Sequence, residues 1–224
     1  MEILVTGYKG FIGSNLYKRL KKEGHNVYGY GRGGKLPDKK VDLVYHLAAN
    51  PKVLDSIAYP YYALENIVLT YSVLQWMVDK KVKKIINMST ASSVPSPYRA
   101  SKKTSEALLN DFCECYKMGA VSMRFFNVYG ENDREDRFIK TSINRAKNDE
   151  DIEVYGKSGN FIYVDDCVDL LVKAKDNIVL SQHNIVEIYN EKLSYIDVAE
   201  KIIKLTCSKS KIKLERRLKD VINA

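Results

Sequence analysis

The sequence has little of what disulfide-bonded, metal-binding or membrane-spanning proteins need. It holds four cysteines, three histidines and five prolines in 224 residues. The cysteines form no C-x-x-C pair and have no metal-ligand spacing with the histidines, which argues against a disulfide framework and predicts no metal site. No apolar run reaches the length of a membrane span, and the N-terminus leads straight into a strand pattern. We therefore expect a cytoplasmic protein with no membrane segment or signal peptide.

The charge of the chain is positive but dispersed. The formal net charge is +8, from 36 Lys and Arg against 28 Asp and Glu. The lysines scatter along the chain, and no basic stripe is interleaved with aromatic residues, which argues against a nucleic-acid partner. The excess of positive charge fits a solvated, lysine-rich surface. The alternative interpretation is that it attracts a phosphate-bearing substrate.

A strand, a glycine-rich turn and a helix follow one another at the start of the chain. Residues 3–13 read ILVTGYKGFIG, and Ile12, Leu16 and Leu20 then repeat at helical spacing. Glycines at this spacing permit a tight turn, let a pyrophosphate approach the backbone and let the helix pack close to the strand. The free N–H groups of the helix start favour phosphate binding. The predicted cofactor-binding residues of this segment are Gly7, Lys9, Gly10, Phe11, Ile12 and Gly13.

Strand and helix patterns alternate along most of the chain, which predicts an α/β protein with a parallel sheet covered on both faces. The predicted strands are 2–6, 26–30, 42–48, 84–89, 119–124 and 185–190. The predicted helices are 11–23, 60–79, 97–117, 136–147, 165–174 and 194–206. The half after about residue 125 is less regular, and we expect it to form a small lobe where ligands bind in such folds.

A tyrosine and a lysine lie four residues apart in the segment YRASK, residues 98–102. Tyr98 and Lys102 therefore share one face of a predicted helix. A free tyrosine, with a pKa near ~10, is a poor base, but a lysine ammonium one turn away stabilises the phenolate. Such a pair can remove a proton from a substrate hydroxyl while a nicotinamide takes the hydride, or run the reverse.

Hydroxyl side chains follow the predicted strand at 84–89 and could hydrogen-bond the reacting oxygen. Counting from the strand places the catalytic hydroxyl on Thr90, whereas counting back from Val94 places Ala91 there. We favour Thr90, with Ser89 and Ser92 as alternatives.

These segments together resemble the extended short-chain dehydrogenase/reductase superfamily, in its NAD-dependent epimerase/dehydratase branch. The matching stretches run in family order over residues 2–170: VTGYKGFIGSNL, VDLVYHLAA, the spacing of Ser56, Pro60, Asn66 and Leu74, INMSTASS, SPYRASKKTSE, MRFFNVYG and FIYVDD. The resemblance implies a Rossmann-type doubly wound sheet in a single domain over 1–224, with residues about 125–160 and 190–224 contributing a small substrate lobe.

The resemblance also implies a set of site residues. Tyr98 is the base, Lys102 its partner, and Thr90 the hydroxyl donor. Asn66 supports the active-site helix, and Asn127 lies near the substrate phosphates. The residues expected on the cofactor side are Leu47, Ala48, Ala49, Asn66, Ser89, Tyr98, Lys102 and Phe125. Ser92 and Asn127 are expected on the substrate side.

The chain departs from the family pattern in several loops. Seven residues separate Thr90 from Tyr98, fewer than the family has, and Ala91 and Ser92 stand where the dehydratases carry acids. Gly159 and Asn160 replace an Arg-Asp pair before the Phe. The stretch 32–41 is too short for a further strand and helix, so one edge strand is expected to be missing.

The residues after the second strand bear on the choice of nicotinamide cofactor. An NAD-preferring domain carries an acid at the end of this strand, to bind the ribose 2′-hydroxyl. Here that position is Gly31, followed by Arg32, and Lys9 lies in the glycine turn. Two cations without a carboxylate suit a 2′-phosphate, so we favour NADP, with NAD as the alternative.

The function expected from these residues and from the resemblance is that of an NAD(P)-dependent oxidoreductase/epimerase acting on a nucleotide-activated sugar. The alternatives are an NADPH-dependent reductase of a keto-sugar nucleotide and a dinucleotide-binding module without turnover. The resemblance further implies a homodimer through helices 60–79 and 97–117. The apolar residues expected to supply surplus surface there are Leu69, Val73, Leu74, Met77, Leu108, Leu109 and Phe112.

Overall fold

A computed structural model describes residues 1–215 and divides into two compact units. The first unit comprises Met1–Phe126 and Val164–Ile188, and the second begins with Asn127–Tyr163 and resumes at Tyr189. The end of the predicted lobe, 216–224, lies outside the described residues. Within residues 1–215 no helix is long and apolar enough to cross a membrane, and no cluster of His, Cys, Asp and Glu could hold a metal ion.

Strands and helices alternate through the chain. The strands are β1 Glu2–Thr6, β2 Asn26–Tyr30, β3 Leu43–His46, β4 Lys84–Thr90, β5 Gly119–Phe125, β6 Asn127–Tyr129, β7 Ile152–Tyr155, β8 Ser158–Tyr163, β9 Gln182–Glu187, β10 Lys192–Ser194 and β11 Ile212–Glu215. The helices are α1 Phe11–Lys22, α2 Val53–Ala58, α3 Tyr61–Asp79, α4 Pro97–Tyr116, α5 Phe138–Lys147, α6 Val164–Lys173 and α7 Tyr195–Thr206, with a 3₁₀ turn at Ala174–Asn177.

The first unit is built on a six-stranded parallel sheet in the order β2-β1-β3-β4-β5-β9. The predicted doubly wound Rossmann-type sheet is therefore confirmed. The central strands β1 and β3 are continuous apolar runs because they are buried on both faces: Ile3, Leu4 and Val5 of β1 and Leu43 and Val44 of β3 are all fully buried. The chain reverses its direction across the sheet between β1 and β3, and ligands bind at such a switch point.

The connection from β2 to β3 holds no strand or helix, so β2 forms the edge of the sheet as expected. Tertiary contacts fix this short crossing. Trp76 Nε1 donates to Pro37 O at 3.0 Å, and Lys80 pairs with Asp38 at 2.5 Å.

The last strand of the sheet was misplaced by the sequence pattern. It was predicted at 185–190, and the structure has it at Gln182–Glu187. Its residues are mostly exposed, including Ile185 and Val186, so the apolar alternation that marks half-buried strands is weak there.

The expectation that α3 and α4 present seven surplus apolar residues is wrong for four of them. Val73, Leu74, Met77 and Leu109 are at most 1% exposed and belong to the core formed by α3, α4 and the sheet. Leu108 and Phe112 pack against that core and are partly buried. A helix that covers a sheet and also packs on a neighbouring helix buries a wider stripe than one face of a sheet requires.

The second unit has its own small core. Strand β8 lies between β6 and β10, and β7 pairs with β11. Helices α5 and α7 pack on this second pair through Ala146, Ile152, Val154, Ala199 and Ile202. The sequence reading predicted the two helices and none of these five short strands, because strands of three to six residues give little periodic signal.

Candidate functional site

The predicted site residues of the first unit lie at the carboxyl ends of neighbouring strands. Gly7 follows β1, Arg32 follows β2, and Leu47, Ala48 and Ala49 follow β3. Thr90 and Phe125 end β4 and β5, where they are register partners. Because parallel strands end at one edge, the sheet order places these groups along that edge from Arg32 to Phe125.

The glycine loop is held by close backbone approach. Gly7 has φ +71°, and its N–H donates to Tyr30 O at 2.7 Å. A Cβ at Gly7 would lie 2.8 Å from Ala48 N, and a Cβ at Gly13 would lie 2.1 Å from Gly7 O. Any side chain at Gly13 would push helix α1 away from the loop.

The start of α1 is open to an anion. Its N-cap is Gly10, no side chain caps the first turn, and no acidic residue lies in that turn. The leading N–H groups of Phe11 and Ile12 therefore keep the partial positive charge of the helix start available to phosphates.

The residues after β3 are fixed by side chains of other elements. Leu47 N and Ala48 N both donate to Thr6 Oγ1 at 3.1 Å. Asn66 on α3 accepts from Asn50 N at 2.7 Å and donates to Asn50 O at 3.1 Å. Asn66 thus fixes the segment beside the predicted cofactor residues.

The hydroxyl cluster turns away from the strand at Thr90. Thr90 Oγ1 accepts from Ser92 N at 3.2 Å, and Ala91 N donates to Phe125 O at 2.9 Å. Thr90 and Ser92 are partly accessible, whereas Ser89 is buried. The accessibility of Thr90 and Ser92 suits contact with a ligand better than the burial of Ser89.

Tyr98 lies in the first turn of α4. The N-cap Ser96 accepts from Arg99 N, and Pro97 occupies the first helical position, as is common at helix starts. Tyr98 N donates to Ser56 Oγ at 3.1 Å, and Ser101 Oγ donates to Tyr98 O at 2.7 Å. Hydrogen bonds thus tie the Tyr98 backbone on both sides.

Lys102 is one turn further along α4 and only 4% exposed. No hydrogen bond or ion pair within residues 1–215 holds its ammonium. Burial lowers the pKa of Lys102 to about 8, and the Glu106 carboxylate opposes that shift. A buried cation without a hydrogen-bond acceptor is costly, and ribose or phenolate oxygens would supply one.

Glu106 is a weak counter-charge for Lys102 because Arg124 already binds it. Arg124 Nε and Nη2 donate to the two Glu106 oxygens at 2.8 and 2.5 Å. Burial is the largest single effect and would raise the pKa of Glu106, but the hydrogen bonds and the positive charge of Arg124, together with smaller contributions from its neighbours, lower that pKa. The three groups together carry a net positive charge.

The two cations expected near the ribose are exposed. Lys9 and Arg32 both face solvent, and the Tyr8 ring lies between the glycine turn and the end of β2. A Cβ on Gly31 would lie 3.6 Å from this ring, an ordinary contact, whereas one on Gly29 would lie 2.4 Å from it.

Asn127 belongs to the second unit. Its amide donates to Asn160 O at 3.2 Å and to Tyr195 Oη at 3.4 Å. A Cβ on Gly159 would lie 2.8 Å from both Asn127 Nδ2 and Tyr195 Oη. The packing therefore leaves no room for the arginine that the family carries there.

The sequence reading missed the buried polar groups behind the site. Thr6, His46, Thr70 and Ser105 are at most 2% exposed and linked by hydrogen bonds. The available signal was polar residues within apolar segments, as at His46 in LVYHL and Thr70 in IVLTYSVL.

Comparison with known proteins gives the family. The sequence profile of the NAD dependent epimerase/dehydratase family matches residues 3–190. The chain belongs to this family. The expected family resemblance is thereby confirmed.

Three similar proteins illustrate its range. A Bacillus subtilis protein described as an uncharacterized UDP-glucose epimerase is 28% identical over 75% of this chain and 70% of its own length. The dTDP-D-glucose 4,6-dehydratase of Dictyostelium discoideum is 26% identical over 92% of this chain and 62% of its own length. The structure of Bacillus cereus UDP-glucuronic acid 4-epimerase, with UDP-glucuronic acid and NAD, has a TM-score of 0.84 at 25% identity. It covers 96% of this chain, which covers 86% of it.

The residues present fit the cofactor of the family. The uncapped start of α1 and the close-packed glycines suit a pyrophosphate. The buried ammonium of Lys102, which lacks an acceptor within the described residues, suits the hydroxyls of a ribose.

Replacing Lys102 with Met should stabilise the cofactor-free protein at pH 7, because it removes a buried charge. The pKa of Lys102 falls from 10.5 to about 8 on folding. This shift lowers the free energy of unfolding by at most about 3 kcal/mol. The folded protein loses the Lys102 proton above about pH 8, while the unfolded chain keeps it to about 10.5. The advantage of the variant should therefore shrink as pH rises through this window.

Urea unfolding at pH 7 and pH 9.5 measures this difference. The exposed neighbour provides the control: Lys103→Met should change the free energy of unfolding little at either pH. A Lys102→Met protein less stable than wild type at pH 7 would show that the ammonium is well solvated or paired.

Proposed function

We propose that this protein is an NAD(P)-dependent epimerase that inverts C4 of a UDP-linked hexose. The observation that carries the proposal is the buried Lys102 ammonium one turn from Tyr98, in the unit that holds the glycine loop. The similar proteins are described as acting on UDP-glucose and UDP-glucuronic acid, which supports the substrate class.

Each side chain has a definite task in this reaction. Lys102 stabilises the Tyr98 phenolate, which takes the proton of the C4 hydroxyl. Thr90 donates a hydrogen bond to the same sugar oxygen and holds it near Tyr98. A nicotinamide, when bound, accepts and returns the hydride. Tyr98 gives the proton back after the sugar presents its other face.

One other reaction of the family fits less well, and a second would use the same residues. A 4,6-dehydratase needs an acid and a base to eliminate water, and Ala91 and Ser92 stand where the dehydratases carry them. An NADPH-dependent reductase of a keto-sugar nucleotide would use the same Tyr98 and Lys102, and only product analysis separates it from the epimerase.

A cofactor-binding protein without turnover is the remaining alternative. Such a protein has no need of a lysine buried at a cost in stability, nor of a tyrosine fixed through Ser56 and Ser101. The survival of both features favours the enzyme.

We propose NADP rather than NAD as the preferred cofactor of this chain. Lys9 and Arg32 are exposed at the turn and the end of β2, and Gly31 replaces the acid that would bind a ribose 2′-hydroxyl. A phosphate can accept hydrogen bonds from both cations, whereas a hydroxyl offers them one weak acceptor.

Replacing Tyr98 with Phe should lower kcat by about 10²- to 10⁴-fold and leave cofactor affinity little changed, because only the phenol is lost. Turnover of UDP-glucose and UDP-glucuronic acid is followed by chromatography of the products, and cofactor binding by calorimetry. Tyr116→Phe, on the exposed end of the same helix, is the control. Near-normal turnover by Tyr98→Phe would rule out the mechanism.

NADPH should bind at least about tenfold more tightly than NADH, or roughly 1.4 kcal/mol. Replacing Gly31 with Asp and Arg32 with Ala should reverse the order, since the structure has room for a side chain at Gly31. Titration calorimetry measures both, with Lys35→Ala as the control for loss of a nearby charge. Equal affinities in the wild type would make Lys9 and Arg32 ordinary surface charges.

We propose a homodimer through α3 and α4. The exposed apolar residues of α3 lie on one face: Tyr61, Leu64, Val68 and Tyr71 are 49–60% exposed. The last of these residues, Tyr71, packs edge-on against Phe112 of α4, with ring centroids 5.9 Å apart. A pair of copies would cover this face.

Sedimentation at micromolar concentration should show a dimer, and Leu64→Glu should dissociate it by burying a charge in the interface. Leu205→Glu, at an exposed apolar site on α7, should leave the dimer intact. A monomeric wild type would contradict the proposal.

A further inference from the structure

His46 lies at the end of β3, 1% exposed, and both of its ring nitrogens are bonded. Nδ1 lies 2.9 Å from Thr6 Oγ1, at the end of the strand that leads into the glycine loop. Nε2 lies 3.1 Å from Thr70 Oγ1 on α3. The ring therefore joins β1, which leads into the glycine loop, to α3, which carries Asn66.

Counting hydrogen bonds assigns the proton on this ring. Thr6 Oγ1 already accepts from Leu47 N and Ala48 N, which fill the two lone pairs of a hydroxyl. Its own proton must therefore go to His46 Nδ1. Nδ1 is then the acceptor, and Nε2 carries the ring proton and donates it to Thr70.

The surroundings keep the ring neutral. Burial, with a smaller effect from the Lys102 charge, lowers the pKa of His46 to about 3. A charged imidazolium would also need to donate from Nδ1, where Thr6 Oγ1 has no free lone pair.

The chain of hydrogen bonds continues to the helix of Tyr98. Thr70 Oγ1 lies 3.0 Å from Ser105 Oγ of α4 and 2.9 Å from Asn66 O. Because Ser105 Oγ donates to Ser101 O at 3.0 Å, the single hydroxyl proton of Thr70 is shared between Ser105 Oγ and Asn66 O. Ser101 Oγ accepts from Asn66 Nδ2 at 3.2 Å and donates to Tyr98 O. The side chains of this network are buried, and its last bond, to Tyr98 O, is partly buried.

We propose that His46, as the neutral tautomer with its proton on Nε2, is a positioning residue that fixes α3, and through it the Tyr98–Lys102 turn of α4, relative to the glycine loop. Its kinetic meaning rests on the proposed epimerase function, whereas the tautomer does not. A loose network here would let the base shift against a cofactor held by the loop, and misplacement of about 1 Å is costly to catalysis.

The tautomer is read directly by ¹⁵N NMR of protein labelled at its three histidines. We expect a His46 spectrum with Nδ1 unprotonated and Nε2 protonated, unchanged from pH 6 to pH 8, and assigned by its loss in His46→Gln. Thr6→Val removes the donor to Nδ1 and should shift that nitrogen. A protonated Nδ1, or titration in this range, would overturn the inference.

Two substitutions separate the two ends of the ring. In His46→Gln the amide nitrogen reaches the place of Nε2 and can still donate to Thr70. In His46→Asn the side chain reaches only the place of Nδ1, so it keeps Thr6 and leaves Thr70 without its donor. The asparagine variant should lose about 10- to 100-fold in kcat with KM little changed, and the glutamine variant should stay within about threefold of wild type.

His25→Gln is the control. His25 lies beside Glu23 and outside the network, so this variant should retain wild-type turnover. Equal kcat losses in both His46 variants, in proportion to lost stability, would show a merely structural role. If the wild type turns over no nucleotide sugar, the proposed function fails. The inference is then decided by the tautomer and by hydrogen exchange, which should be faster in α4 amides 101–105 of His46→Asn than of His46→Gln.

Discussion

The close approach of backbone at the end of β1 is the constraint on which the first unit depends. Gly7 has the positive φ that starts the turn, and a Cβ there would strike Ala48 N at 2.8 Å. Gly13 lets α1 come down on Gly7 O. These contacts set the start of α1, the segment after β3 and the end of β2 around one point, which is also the switch point of the sheet. The surface proposed to bind the cofactor follows from that geometry.

Buried polar groups lie behind this point, and they differ in how well they are hydrogen-bonded. The Thr6, His46, Thr70 and Ser105 network is fully hydrogen-bonded, so its burial costs little. Lys102 differs, because within residues 1–215 its ammonium has no hydrogen-bond acceptor, and Glu106, the carboxylate that raises its pKa, is bound by Arg124. A fully hydrogen-bonded network thus lies in the same unit as a lysine ammonium that lacks an acceptor. This arrangement is expected where a rigid surrounding structure keeps a charged group in place for a ligand.

The shortened loops alter the edges of the protein and leave this centre intact. The β2–β3 connection is held by Trp76 and Lys80 in place of a further strand and helix. In the second unit, Gly159 makes room for the contact of Asn127 with Tyr195. These two departures from the family pattern are matched by local packing contacts, as surface segments allow.

The sequence by itself determined the parallel sheet, the glycine loop and the helix that carries Tyr98 and Lys102, because hydrophobic periodicity and turn residues are local signals. It placed most strands and helices of the first unit within a few residues. Tertiary contacts decide which apolar residues of α3 stay exposed, that Lys102 is buried and lacks an acceptor among the described residues, and that His46 joins a buried hydrogen-bond network. These depend on partners far apart in the chain: Thr6 and Thr70 meet His46 across 40 and 24 residues. Periodicity tells which face of an element is buried but not which distant group it will contact.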